Sequence, residues 1–189
     1  MLSQFPGILV IGGQPSSVSR SVELWSPAES CVLEDYPRDM NGPTANLVSG
    51  ELVACYLDSC DIYDNGEWNH LVDTRDRRYY HSSAVKDDQL LLIGGGHSRS
   101  TEWIPLDGSP SQPGPFDTRH GPSHCTLQIS NEIIIVTGGM RETATYVTEY
   151  HLTGDGNETP LPPLTQPRMD HACGVYRGAG GEQVRRVCS

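Results

Sequence analysis

The stretch Leu90-Leu91-Leu92-Ile93-Gly94-Gly95 constrains this chain more than any other. A short, continuous apolar run bounded by turn residues reads as a strand buried on both faces, and paired glycines end it at a sharp change of backbone direction. The same phrase returns at Ile8 to Gly13 (ILVIGG) and at Ile134 to Gly139 (IIVTGG). Two degraded copies fill the gaps. ELVACY (51–56) puts Cys55 in the place of the first glycine, and VRRVCS (184–189) puts Cys188 there. Positions 12, 55, 94, 138 and 188 are then separated by 43, 39, 44 and 50 residues.

A strand-dense repeat of this length points to a β-propeller, in which four-stranded antiparallel blades stack around an axis. One blade cannot bury both of its faces alone. The chain divides into approximate blades 1–37 (partial), 38–74, 75–117, 118–166 and 167–189 (partial), which together make a single repeat region over 1–189. Asp64-Asn65-Gly66 between two strand-like runs is a strong hairpin signal, because its central residues accept positive φ. Prolines at 105, 110, 113 and 115 leave little regular pairing for the outer strand of the third blade. The expected architecture is all-β and an incomplete propeller. Closure as four blades, with the fifth repeat supplying the strand missing from the first, is the alternative. An open array would expose apolar blade faces and self-associate.

Composition excludes some partners. The net charge is −11 with no compensating Lys/Arg cluster, which argues against nucleic acid. No apolar run approaches a membrane-spanning length, and the first residues lack the order of a signal peptide. Six cysteines and the sequon Asn157-Glu158-Thr159 lean slightly toward an oxidising, secretory compartment, with a cytoplasmic one as the alternative. Pro160, directly after the sequon, is expected to hinder its use. Cys55 and Cys60, flanking a tight loop, are the favoured disulfide. Cys125 and Cys173 occupy matching places in successive repeats, a positional argument for pairing, although matching places in neighbouring blades can lie further apart than the alpha-carbon distance a disulfide allows.

Two further features recur. After the glycines comes an acidic residue with an aromatic nearby: Glu23 with Trp25, Asp61 with Tyr63, Glu102 with Trp103, and Glu149 with Tyr150. An arginine with a histidine a few residues on precedes later copies: Arg78 and His81, Arg119 and His124, Arg168 and His171. In this pattern the chain resembles kelch repeats. The resemblance implies that Gly12, Gly13, Gly94, Gly95, Gly138 and Gly139 are packing positions. It implies the same structural role for Glu23, Asp61, Glu102 and Glu149, as hydrogen-bond acceptors between strands. It further implies that Arg38, Arg78, Arg119 and Arg168, at the start of each repeat, face the mouth of the channel as a positive rim. The competing reading is that each arginine only staples blades together.

Chemistry offers less. Copper-radical oxidases related to galactose oxidase use kelch-like propellers, but their tyrosine and histidine ligands with a modified Tyr-Cys pair have no counterpart here. A sialidase-like arginine triad is not marked either, because arginines 40, 41 and 49 residues apart are repeat positions. His81, His124 and His171 sit at equivalent places and would spread around an axis rather than converge on zinc. The expectation is a non-catalytic scaffold, with no cofactor and no metal, binding another protein or an acidic peptide through loops at one mouth. The alternative is the remnant of a propeller oxidase or other propeller enzyme.

Overall fold

The computed structural model describes residues 8–11, 20–25, 30–40, 42–154, 156–174, 176–177 and 183–184. Gly12 and Gly13, and most of the VRRVCS copy, lie outside them. Regular structure among the described residues is strand, apart from one 3-10 turn at Arg141–Thr143. Five antiparallel sheets follow one another along the chain. The first holds β1 (Ile8–Ile11), β2 (Val22–Trp25) and β3 (Ser30–Val32). The second holds β4 (Thr44–Val48), β5 (Glu51–Asp64) and β6 (Glu67–Arg78). In the third, β7 (Ser82–Lys86), β8 (Gln89–Ile93), β9 (Ser100–Pro105) and β10 (Gln112–Asp117) pair in sequence order. The fourth repeats that order with β11 (Cys125–Gln128), β12 (Ile133–Thr137), β13 (Val147–His151) and β14 (Glu158–Pro160). A two-stranded sheet of β15 (Tyr176–Arg177) and β16 (Gln183–Val184) ends the series; β15 pairs with β16 and not with β1.

The continuous apolar run of β8 is explained by what it touches. Side chains alternate across a strand. Leu90 and Leu92 pack with Val53, Cys55, Cys60 and Val72 of the second sheet. Leu91 and Ile93 pack with Ile134, Val136, Tyr150 and Leu152 of the fourth. All four residues of the run are fully buried, at about 1.5–3 kcal/mol each relative to exposure. The core therefore lies between successive sheets, and β4, β7 and β11 lie side by side at its inner edge. Thr44 Oγ1 bonds Ser83 Oγ across one seam, and Ser82 Oγ bonds Thr126 Oγ1 at 2.5 Å across the next. The sheets are blades of a partial propeller.

The second blade looks three-stranded but is not. An extended span of five residues covers roughly 16 Å, yet the Cα atoms of Cys55 and Cys60 are 4.1 Å apart. So β5 folds back on itself, with Leu57 at φ 56° in the reversal. Its first arm pairs with β4 and its second with β6. The next turn has Asn65 and Gly66 at φ 53° and 94°, as an Asn-Gly hairpin requires. In the third blade β10 pairs irregularly, with a register shift between Pro113 and Asp117.

The seams also fix the repeat register. Thr44, Ser82 and Cys125 pair with Cys55, Ile93 and Thr137 respectively. Cys55 is thus the last strand residue of its copy, equivalent to Ile93, and Tyr56 stands in the first-glycine place. This corrects the sequence alignment by one residue.

Candidate interaction face

Strand direction sorts every connection onto one of two mouths. The inner strands start at the mouth where β8 and β12 end, and where β9 and β13 begin. That wide mouth carries the segments 33–40, 42–43, 56–59, 73–81, 94–99, 118–124, 138–146 and 161–172. The opposite, narrow mouth carries mostly tight turns, at 49–50, 65–66, 87–88, 106–111, 129–132, 152–154 and 156–157.

Charge follows the same division. Of the eleven lysines and arginines among the described residues, nine are arginines on the wide mouth: Arg20, Arg38, Arg75, Arg77, Arg78, Arg99, Arg119, Arg141 and Arg168. Among the described residues, the narrow-mouth turns and the strand ends beside them carry Glu51, Asp64, Glu67, Asp87, Asp88, Asp107, Glu132 and Glu158 against Lys86. The wide mouth is mixed rather than purely positive. It also holds nine acids: Glu34, Asp35, Asp39, Asp58, Asp73, Asp76, Asp117, Glu142 and Asp170. The simple positive rim expected from sequence is not what the loops present.

The four repeat arginines have different placements. Arg78 is 1% exposed. It donates to the carbonyls of Gly94 (2.9 Å) and Ser100 (2.7 Å) and pairs with buried Glu102 at 3.2 Å. That location removes Arg78 from the rim, because its donors are consumed between the end of β6 and the β8–β9 pair of the third sheet. Arg38 is half-buried and reaches Asp58 at 3.3 Å and buried Asp61 at 3.8 Å. Asp61 also accepts from the Tyr36 hydroxyl, and burial with that bond raises the Tyr36 pKa well above its ordinary value. Arg119 is exposed but ion-paired with Glu158. Arg168 fixes backbone, its amide donating to Ala144 and its carbonyl accepting from Gly139.

The strand pairing also revises the repeat itself. Glu102 lies opposite Leu92, and the residue opposite the equivalent Val136 is Thr148, not Glu149. The residue that reaches the Gly138 carbonyl, as Arg78 reaches Gly94, is His120, not Arg119. A carbonyl only accepts, so His120 Nδ1 donates at 2.7 Å and Nε2 accepts from Thr148 Oγ1 at 3.1 Å. The ring is neutral, and burial holds its pKa down to about 4. Glu23 is exposed on the first blade.

The first glycine of each described pair is held by the next blade. A Cβ on Gly94 would lie 2.7 Å from Thr118 Cγ2 and 3.2 Å from His124 Cε1; one on Gly138 would lie 2.5 Å from His171 Cε1. Both glycines have positive φ. Gly95 and Gly139 meet the lead-in of their own blade, at His81 Cβ and the Gly121 carbonyl. His124 spans its seam, donating from Nδ1 to Gly121 and accepting at Nε2 from Ser82. His81 has neither ring nitrogen paired, and burial lowers its pKa to about 3. These histidines are spread one to a seam. Among the described residues no group of three or more His, Cys, Asp or Glu could hold a metal ion, and no helix is long and apolar enough to cross a membrane.

Two disulfides are formed. Cys55 joins Cys60, and Cys125 joins Cys173 with Cα atoms 6.1 Å apart. The second pair joins matching places in neighbouring blades, within the alpha-carbon distance a disulfide allows. Cys125 starts an inner strand, where blades converge on the axis.

Sequence periodicity missed the arginines that are free to act. Arg75, Arg77, Arg99 and Arg141 are exposed on the wide mouth, and no salt bridge engages their guanidinium groups among the described residues. Arg75 borders a cavity of about 210 Å³ lined also by Asp76, Arg78, Ser100, Thr101, Glu102 and Pro113. That volume is below the usual range for a small-molecule site and suits a single side chain. The signal that could have found these residues is their departure from the repeat.

No protein-family model matches this chain, and no curated protein matches it in sequence. The solved structure titled "Structure of YjhT" superposes with a TM-score of 0.65 at 10% identity. The match covers 86% of this chain and 66% of that one, so the chain spans just under two thirds of its length. At this identity the likeness shows the fold alone. Fold and site together define part of a β-propeller whose two mouths differ in loop length and charge.

Proposed function

We propose that the chain is a kelch-type, non-catalytic interaction scaffold that binds a protein segment at its wide mouth. The observation that carries this reading is the segregation of arginine to the loop-rich mouth, while the opposite mouth is tight-turned and acidic. Loops on a rigid β scaffold are where recognition concentrates. Arginine's planar fork suits carboxylates bidentately, so an acidic peptide is the fitting partner. Arg75, Arg77, Arg99 and Arg141 are the contacts, and the cavity beside Arg75 receives one side chain.

The test is selection of peptides from a random displayed library on the immobilised chain. Enrichment of Asp/Glu-containing peptides that Arg75→Glu with Arg99→Glu abolishes, and Asp87→Lys with Asp88→Lys leaves intact, supports the reading. Enrichment without acidic residues, or indifference to the arginine changes, sinks it.

A further inference from the structure

We propose that Asn157 is an acceptor for an N-linked glycan. Asn157-Glu158-Thr159 is an acceptor sequon, with glutamate rather than proline between Asn and Thr. Three independent observations place it where a glycan can be carried. Asn157 is exposed in the narrow-mouth turn before β14, the outermost strand of its blade, so a bulky polar group adds no burial cost. Its carbonyl accepts from His151 N–H at 3.0 Å, which fixes the backbone, while its side-chain amide has no partner among the described residues. Gly156, at φ 62°, packs against Pro115 and Phe116 of the preceding blade, and this anchor turns the next residue outward. The disulfides Cys55–Cys60 and Cys125–Cys173 belong to an oxidising compartment, the kind in which N-glycosylation takes place.

The donor is a lipid-diphosphate-linked oligosaccharide. The Asn157 amide nitrogen forms a bond to C1 of the first sugar, the C1–oxygen bond to the diphosphate breaks, and the amide proton leaves to a base. No redox change is involved. The glycan would stand on the narrow mouth and leave the arginine-bearing loops uncovered.

The experiment expresses the full chain behind a secretory leader in eukaryotic cells and analyses all translocated chain by gel and by peptide mass. The expected result is a slower band that peptide-N-glycosidase collapses, with the glycan mapped to Asn157 and absent in Asn157→Gln and in Thr159→Ala. Pro160→Ala should raise the glycosylated fraction. An unmodified Asn157 in the translocated wild-type chain overturns the proposal, as does modification seen in Pro160→Ala alone.

Discussion

The third and fourth blades share strand order and register, yet they fill one buried slot with different chemistry. In the third, Arg78 and Glu102 form an ion pair under the Gly94 carbonyl. In the fourth, His120 and Thr148 make a neutral pair under Gly138. What the fold demands there is a donor to a glycine carbonyl and a partner on the third strand. It does not demand a charge, and the two solutions should fail in different ways.

The largest difference should come from removing one partner. Glu102→Ala leaves the buried Arg78 guanidinium with only the half-exposed Asp76, 3.3 Å away, as counter-charge, and should cost toward the lower end of about 3–5 kcal/mol in denaturant unfolding. Thr148→Ala leaves a neutral ring nitrogen unpaired and should cost about 1–3 kcal/mol. Equal losses would break the comparison.

The fourth blade is also tied onward by Cys125–Cys173, a closure of 48 residues, whereas Cys55–Cys60 closes 5. On loop entropy, removing the long closure should cost about 4 kcal/mol and removing the short one about 2. Unfolding of the two double Cys→Ala variants measures both.

Packing against the next blade can be separated from backbone conformation. Gly138 and Gly154 have similar φ, 64° and 69°, but a Cβ at Gly154 meets nothing within 4 Å. Each alanine should cost about 1–2 kcal/mol for the left-handed backbone. Gly138→Ala should lose a further 1–3 kcal/mol from overpacking. Matching thermal shifts would remove the seam contact from the account.

Acid should distinguish the slots by a smaller margin. The folded His120 has its pKa lowered to about 4 by burial, against about 6.5 unfolded. The unfolded chain therefore binds the proton first. The stabilising contribution of neutral His120 is full above about pH 6.5 and is lost as pH falls toward 4. His120→Gln keeps donor and acceptor without titrating, so its stability should fall less than wild type between pH 6.5 and 5. His81 and His124, whose pKa values burial lowers to about 3 and 4, and His171, which burial also lowers, add to the slope in the same direction.

Much of this was legible in the sequence. Unbroken apolar runs followed by glycine in the sequence located β1, β8 and β12, because burial on both faces leaves no polar alternation. Asn65-Gly66 and the prolines of β10 likewise acted through local backbone chemistry alone. The errors of register were each of one residue. Arg119 and Glu149 resemble Arg78 and Glu102 in charge, whereas the slot selects hydrogen-bond reach and is filled by His120 and Thr148. Cys55 was set in the glycine place because a fold-back inside β5 leaves no local signature. Matching repeat places suggest the Cys125–Cys173 pair, but not that its cysteines come close enough to bond, because distance to the axis is not written in repeat spacing. As for the wide mouth, its unpaired arginines escaped a search for periodicity because they are not periodic.

The uneven charge of the two mouths gives the molecule a head and a tail. Eight acids against one lysine among the described residues of the narrow side mean that, on a positively charged support, the chain should adsorb narrow side down. Its long loops would then point into solution, so an anion-exchange surface would display them all in one orientation.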